Sequence, residues 1–428
     1  MKIKTVQKTY AEVMALPRPK RKKPLRPLFF WRLLVWLLAQ PALLKSKFSF
    51  SGNLPDGPCM ILMNHSCFMD MKIAYQILFP RPFCIVSTAD GMVGKRWLMR
   101  QIGCIPTQKY VNDLSLLTDM RYALKEKKSS VLMYPEACYS MDGTAHPIPK
   151  RMGVILKKLD VPVVMIRTYG AFARDPLYNQ LQLRKVPVSA KVETLLTREQ
   201  LQERSVEDID LILENAFTFD HFAWQRDNAV AVDEPFRADG LERVLYRCPH
   251  CQTENQTVGR GTTLTCLHCG QVYELDELGR LQVLHGEPAK FDHVPDWYGW
   301  QREMVRQQLQ DGTYALDVPV EVIMQVDFKA VYHIGKGHLV HDQNGITLTG
   351  EDGTEYFRQS PQASFSVNTD YFWYEKGDII GFGDKDAMFF CFPPKDVPVA
   401  KVRLAAEELY KLTKKPRPVR TPKLVTAE

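Results

Sequence analysis

Two cysteine pairs constrain this chain more tightly than any other feature: Cys248-x2-Cys251 and Cys266-x2-Cys269, with fourteen residues between them. Each pair suits a tight turn of thiolates, and the spacing lets two turns close one tetrahedral site. The pattern predicts a single structural Zn²⁺ held by Cys248, Cys251, Cys266 and Cys269. His250 and His268 lie inside the turns, but four thiolates suffice. A redox dithiol explains one pair and not two. The loop from Thr253 to Thr265 and the stretch Gln271 to Leu275 predict the hairpins of a zinc ribbon. Ribbons can bind nucleic acid, yet this one is flanked by Asp276, Glu277 and Glu287, with no basic stripe carrying interleaved aromatics. A structural or protein-contact role is expected, and a nucleic-acid partner is not.

The formal charge of +7 is unevenly placed. Residues 1–50 hold twelve Lys/Arg and one Glu, which leaves the other 378 residues at −4. Lys20 to Lys23 precede an apolar run, Leu28 to Ala39, of about 12 residues that contains Arg32 and is followed by Pro41. A bilayer crossing needs roughly 20 apolar residues, and proline interrupts helices. The expectation is an interfacial helix or short re-entrant pair over 28–44, with Trp31 and Trp36 at headgroup depth. Flanking Lys/Arg would bind anionic lipid on the cytoplasmic face, making the protein monotopic or peripheral. A buried core helix with a basic tail is the alternative. The six other cysteines are scattered and no signal peptide with a cleavage site is apparent, so a reduced compartment is expected.

Between residues 59 and 166, short apolar strands alternate with helices, which predicts an α/β layer fold. In such folds, polar residues at strand ends are site candidates. Met60 to Met63 ends in Asn64-His65-Ser66-Cys67-Phe68-Met69-Asp70. If the strand-to-helix turn folds His65 back on Asp70, the carboxylate fixes the imidazole tautomer and stabilises its protonated form. A substrate hydroxyl would then surrender its proton to His65. A satisfied turn histidine, with Asp70 in a first helical turn, is the competing reading. A second strand ends in Tyr134-Pro135-Glu136-Ala137-Cys138-Tyr139-Ser140, where Glu136 can cap a local network or accept from a substrate. Cys138 as a nucleophile lacks an orienting partner.

Taken in order, these elements resemble the glycerolipid acyltransferase family that includes bacterial 1-acylglycerol-3-phosphate acyltransferase, over roughly residues 28–190. Its N-H-x4-D block matches Asn64 to Asp70. Its G-x-I-x-x-x-R block resembles Gly103 to Lys109, with Lys for Arg. Its F-P-E-G-T-R-S block resembles Tyr134 to Ser140, followed by Asp142-Gly143 and Lys150 to Gly153. Its V-P-V-V-P strand is similar to Val161 to Met165. The resemblance implies His65 and Asp70 as catalytic residues and Asn64, Lys109, Glu136 and Lys150 in substrate binding. It also implies acyl-CoA or acyl-carrier protein as donor and a lysophospholipid as acceptor. Where the family has the third block's Gly and Arg, this chain has Ala137 and Tyr139, and tyrosine offers no cationic fork to a phosphate. Arg167 is a candidate replacement cation. Backbone N–H groups of the 64–66 turn are candidates for the oxyanion donors.

From Val318 the apolar period changes to two, with turns at Gly, Asp and Asn. Roughly seven strands, among them 321–326, 332–334, 338–340 and 363–367, precede a helix over 397–412. That arrangement resembles a pleckstrin-homology-like barrel, and function does not follow from it. The expected division is 1–50 membrane-associating, 51–240 acyltransferase, 241–285 zinc ribbon, 286–317 connector, 318–413 β-rich and 414–428 flexible tail. The competing function is a non-catalytic membrane lipid-binding scaffold whose ribbon and β-rich unit recruit partners.

Overall fold

A computed structural model describes residues 2–413. The chain begins with strand β1 (Thr5–Gln7) and helix α1 (Tyr10–Met14), which is closed by a capping box between Thr9 and Glu12. Helix α2 (Phe29–Lys45) runs unbroken through Pro41. Of the two forms expected, a single helix or a short re-entrant pair, the segment takes the single helix. Packing holds it straight: Ala39 and Leu43 are buried in the core that also holds the helix over 69–78, and Gln40 Nε2 donates to Gln76 Oε1 at 2.8 Å. No helix of the described residues is long and apolar enough to cross a membrane.

An α/β layer follows. Its strands are β2 (Ser49–Ser51), β3 (Met60–Met63), β4 (Phe83–Thr88), β5 (Cys104–Thr107), β6 (Ser130–Met133), β7 (Val163–Tyr169) and β8 (Ser189–Leu196). They form one sheet in the order β2-β8-β7-β3-β6-β4-β5. Neighbours are parallel except β7 and β8. Helices cover both faces of its centre, so β3 is buried at every position and reads as an unbroken apolar run. On one face lie α2 and α3 (Met69–Leu78). On the other lie α5 (Leu114–Arg121), α6 (Met152–Leu159) and α9 (Val206–Phe217); α4 (Arg96–Gln101) precedes β5. Residues 198–217 form two helices, α8 (Arg198–Glu203) and α9, because Ser205 caps a new start by accepting from Asp208 N–H at 3.0 Å. Between β7 and β8 is α7 (Ala171–Arg174), and α10 (His221–Asp227) closes this part of the chain.

The cysteine pairs flank a four-stranded antiparallel sheet in the order β12-β11-β10-β9: β9 (Thr257–Arg260), β10 (Thr263–Cys266), β11 (Val272–Leu275) and β12 (Leu281–His285); the first pair lies in the turn before β9, and the second starts at the end of β10. Helix α11 (Val294–Gln310) packs beneath it, with Trp297 Nε1 donating to Arg247 O at 2.8 Å and Arg247 N–H donating to Gln301 Oε1 at 2.9 Å.

The C-terminal sheet holds β13 (Leu316–Gln325), β14 (Val331–Asp342), β15 (Gly345–Gly350), β16 (Glu355–Gln359), β17 (Asn368–Trp373), β18 (Gly377–Gly383) and β19 (Met388–Phe392). Their order is β16-β15-β14-β13-β19-β18-β17, and helix α12 (Val399–Thr413) follows. Three details depart from the sequence-based expectation. The strands expected at 332–334 and 338–340 are one strand, β14, which passes Gly335 opposite a register shift at Val322/Ile323. Residues 363–367 are not a strand. Their hydroxyls tie them elsewhere, Ser364 to Tyr110 O at 2.9 Å and Ser366 to Glu407 Oε1 at 3.0 Å. The strand in that part of the chain is β16, a half-polar sheet edge with no clean alternation to mark it. Strand β1 adds to the sheet in parallel, Thr5 opposite Val331. One apolar core runs through all of this, joining Leu264, Tyr273, Trp297, Val322 and Leu404. The basic tail at 414–428 lies outside the described residues.

Candidate active site and metal site

Strand β3 delivers His65 to the edge of the layer and the first turn of α3 carries Asp70 back beneath it. His65 Nδ1 lies 3.0 Å from Asp70 Oδ2. The same oxygen accepts from the N–H groups of Ser66 at 2.7 Å and Cys67 at 3.0 Å. Asp70 is wholly buried and its Oδ1 has no partner among the described residues. This geometry requires Nδ1 to carry the proton, which leaves the lone pair on Nε2. The imidazole lies against Tyr134 (centroids 4.0 Å apart, planes 20°) and beside Tyr139 (4.4 Å, 55°). Burial between those rings lowers the His65 pKa below its ordinary 6.5, Asp70 opposes that shift, and Lys109 adds to it. His65 is therefore neutral at pH 7 and able to accept a proton.

Glu136 is buried beside this turn. Its Oε1 accepts from His65 N–H at 3.0 Å and its Oε2 from His146 N–H at 2.8 Å. Burial pushes its pKa up to about 7. It joins the turn that carries His65 to its own strand-end loop. Asn64 is spent in a similar way: Oδ1 accepts from Thr168 N–H at 2.8 Å and from Thr168 Oγ1 at 3.2 Å, fastening β3 to β7. The turn also withholds its backbone donors. The N–H groups of 65, 66 and 67 go to Glu136 and Asp70, so they are not the oxyanion donors expected from the sequence.

Lys109 is brought to the dyad, close enough to perturb His65. Arg167 is not brought there. It neighbours Thr168 on β7, and successive strand residues face opposite sides of a sheet. Thr168 meets Asn64, whereas Arg167 donates to Ala216 O, lies 5.6 Å from the Phe219 ring and lines a separate cavity with Lys191 and Glu193. Lys150 is exposed on the turn before α6. The expected substrate-binding set therefore divides: Lys109 and Glu136 gather at His65, Asn64 braces the sheet, and Arg167 and Lys150 stand elsewhere.

Sequence reasoning missed several neighbours. Strand β17 sends Asn368, whose Oδ1 accepts from Lys109 Nζ at 3.1 Å, and Asp370, which interacts electrostatically with Lys109 and Tyr139. Helix α12 sends Arg403, which donates to Cys138 Sγ, Tyr110 Oη (both 3.0 Å) and Glu407 Oε1 (2.9 Å). Ser66 Oγ meets buried His221 Nε2 at 3.2 Å. No local spacing signals any of these. Only Tyr134 and Tyr139, being in the third block, were within reach of a motif.

The four cysteines of the paired turns converge, with sulfurs all within 4.8 Å of one another. Cys248 and Cys269 are 3.8 Å apart, Cys251 and Cys266 3.7 Å. A disulfide needs about 2.05 Å, whereas a tetrahedron with metal–sulfur bonds of about 2.3 Å has edges of about 3.8 Å. The spacing fits a tetrahedral metal and no disulfide. Cys248 and Cys266 are buried and the other two partly so, and four thiolates would fill a tetrahedral site without a position for a substrate.

Outside the site, α2 exposes Phe29, Phe30, Leu37, Leu38 and Leu44, with Leu28 just ahead of it, and Leu38 and Leu44 are 69% and 75% exposed. Trp97 on α4, 67% exposed, stands edge-on to Trp31 at 5.8 Å.

Comparison with known proteins is informative over the α/β layer. Residues 45–168 match the family model described as Acyltransferase. A solved structure similar to this chain is the 1-acyl-sn-glycerophosphate (LPA) acyltransferase, PlsC, from Thermotoga maritima, at 16% identity, covering 43% of this chain and 79% of that one, with a TM-score of 0.33. By the family match, residues 45–168, which carry His65, Asp70, Lys109 and Glu136, stand in a distant relationship to the acyltransferase superfamily.

Proposed function

We propose that the chain is a membrane-associated O-acyltransferase that moves a fatty acyl group from acyl-CoA or acyl-carrier protein to a hydroxyl of a lysophospholipid. The observation that carries this is the His65–Asp70 pair, neutral at Nε2, inside a segment matching an acyltransferase family. As the acceptor oxygen bonds to the thioester carbonyl carbon, Nε2 takes its proton. Asp70 stabilises the imidazolium through Nδ1–H. The tetrahedral intermediate collapses, the carbon–sulfur bond breaks, and the thiolate leaves with the proton from Nε2. No protein nucleophile is required. Cys138 is only 3% exposed and engaged by Arg403.

Membrane seating is supported by the exposed apolar face of α2 with Trp97, bordered by Lys20 to Lys23. We place the protein as monotopic or peripheral on the cytoplasmic face, where lipid acceptor arrives directly. The cysteine sheet is read as a zinc ribbon with one structural Zn²⁺. The C-terminal unit is read as pleckstrin-homology-like, with its first strand β13 paired to its last, β19, and a closing helix. The proposed division falls near residues 50, 240, 285 and 317, with Thr5–Gln7 joined to the C-terminal sheet.

The test is thiol release from palmitoyl-CoA by purified protein in lipid vesicles with lysophospholipid acceptors, product masses recorded, repeated with acyl-carrier protein as donor. An acylated product that disappears in His65→Ala supports the reading. No product with either donor overturns it and leaves a non-catalytic lipid-binding scaffold.

A further inference from the structure

The charges around the dyad bear on which acceptor it can serve. A phosphate monoester brings a charge of about −1.5 to −2 and three strong acceptor oxygens. Burying it takes several cationic donors, ideally planar forks. Near His65 the cations are few and engaged. Lys109 gives a hydrogen bond to Asn368 Oδ1. Arg403 is fully buried and bound to Glu407, Cys138 and Tyr110. Arg167 is on the other face of the sheet, and Tyr139, 4.4 Å from the His65 ring, brings no cation.

The anions are better placed. Asp370 lies two positions after Asn368 on β17, on the strand face whose Asn368 receives Lys109 Nζ at 3.1 Å, and it interacts electrostatically with Lys109 and Tyr139. Asp90 lies behind it, accepting from Trp373 Nε1 at 3.2 Å. Asp370, Lys109, His65, Tyr134 and Tyr139 are all half-buried. Burial and Asp90 push the Asp370 pKa up to about 6, which leaves it mostly ionised at pH 7. One lysine thus stands against Asp370 next to a dyad that already holds Asp70, so the surroundings of His65 carry no excess of cations.

We infer that Asp370 is a specificity-determining residue and that the acceptor's polar end carries no net negative charge: a neutral or zwitterionic lipid alcohol rather than a phosphate monoester. This rests on the acyl-transfer reading above and narrows its acceptor away from 1-acylglycerol-3-phosphate. The residue responsible belongs to a strand 259 positions from Lys109, counted between Lys109 and the Asn368 beside it.

The experiment uses the full chain in zwitterionic vesicles with palmitoyl-CoA, and acyl-carrier protein as second donor. Acceptors share one acyl chain and differ in head: monoacylglycerol and lysophosphatidylcholine against 1-acylglycerol-3-phosphate and lysophosphatidylglycerol. His65→Ala is the blank. The pair without net charge is expected to exceed the anionic pair in kcat/KM by on the order of tenfold or more. Asp370→Asn, close to isosteric, is expected to shrink that ratio severalfold by gaining on anionic heads. Lys109→Met is expected to widen it. A ratio does not depend on the folded fraction, so a destabilised variant still reports. A preference for the anionic pair, or a ratio unmoved by Asp370→Asn, overturns the inference while acyl transfer stands. No turnover with any acceptor and either donor overturns both.

Discussion

At the residue scale, His65 is held as a neutral base by opposing effects. Burial between tyrosines lowers its pKa and Asp70 partly restores it. In the proposed mechanism the working form is unprotonated, so kcat/KM is expected to be flat at neutral pH and to fall only below pH 6.5, as His65 protonates. Asp70→Asn removes the stabilising charge. It should lower kcat by about 10²–10⁴ and move the acid limb to lower pH, which a pH–rate profile of both proteins measures. An acid limb above 6.5, or an unchanged limb in Asp70→Asn, would contradict the assignment. Glu136 makes a separate claim about stability. Its folded pKa of about 7 lies above the 4.5 of an ordinary glutamate, so the folded state holds the proton more tightly. Its contribution to stability is lost as pH rises from about 4.5 to about 7. Glu136→Gln should erase about 2–3 kcal/mol of that slope in urea unfolding compared at pH 5 and pH 7.5. The dyad was legible in the sequence because His65 and Asp70 are five positions apart and one turn joins them. Asp370 was not, because nothing local pairs it with Lys109.

At the scale of elements, two devices hold the C-terminal half against the site. The cysteine turns fix Arg247, whose backbone is bound at both ends by Trp297 and Gln301 of α11. From α11, Arg302 reaches Glu407 at 2.7 Å and Glu408 at 2.9 Å on α12, and Arg403 of α12 reaches the Cys138 loop. One zinc per chain is expected by metal analysis. Cys266→Ser should lose it and lower the melting temperature, because a structural metal's binding energy is folding energy. A metal-free wild type with the same melting temperature would remove the metal reading. Arg403→Leu strips a buried partner from Glu407 and should cost about 3–5 kcal/mol in denaturant unfolding. The elements differ in how visible they were. The buried strands β3 and β7 are continuous apolar runs, and the cysteine spacing marks its own sheet. Strand β16 was hidden because an exposed sheet edge needs no apolar alternation. Residues 363–367 looked like a strand because alternation records burial, and burial there comes from Ser364 and Ser366 docking on Tyr110 and Glu407.

At the scale of the molecule, the N-terminal strand β1 and β14 meet in one sheet, and the C-terminal sheet lies over the loop that carries Lys109 and Tyr110. Ending the chain at residue 317 would uncover Tyr110, Lys109 and Cys138 and leave β1 without its partner. Such a protein is expected to aggregate in detergent in which the full chain elutes as one species, as size-exclusion chromatography would show. The apolar face of α2 makes a second claim at this scale. Leu38→Asp together with Trp97→Ala should release the protein from anionic vesicles in flotation, with His65 chemistry on a detergent-dispersed acceptor retained; unchanged flotation would place the membrane contact elsewhere. What the sequence determined by itself is what short-range physics encodes. Apolar runs set the strands of the layer, the H-x4-D turn joins base to carboxylate, and paired cysteines commit to one metal-sized tetrahedron. The tertiary structure alone decided which cations reach the dyad and which face it from afar. Asn368, Asp370 and Arg403 arrive from a sheet and helix more than two hundred residues downstream. Their placement follows from how two large apolar faces pack, a condition on the whole chain that no local pattern carries.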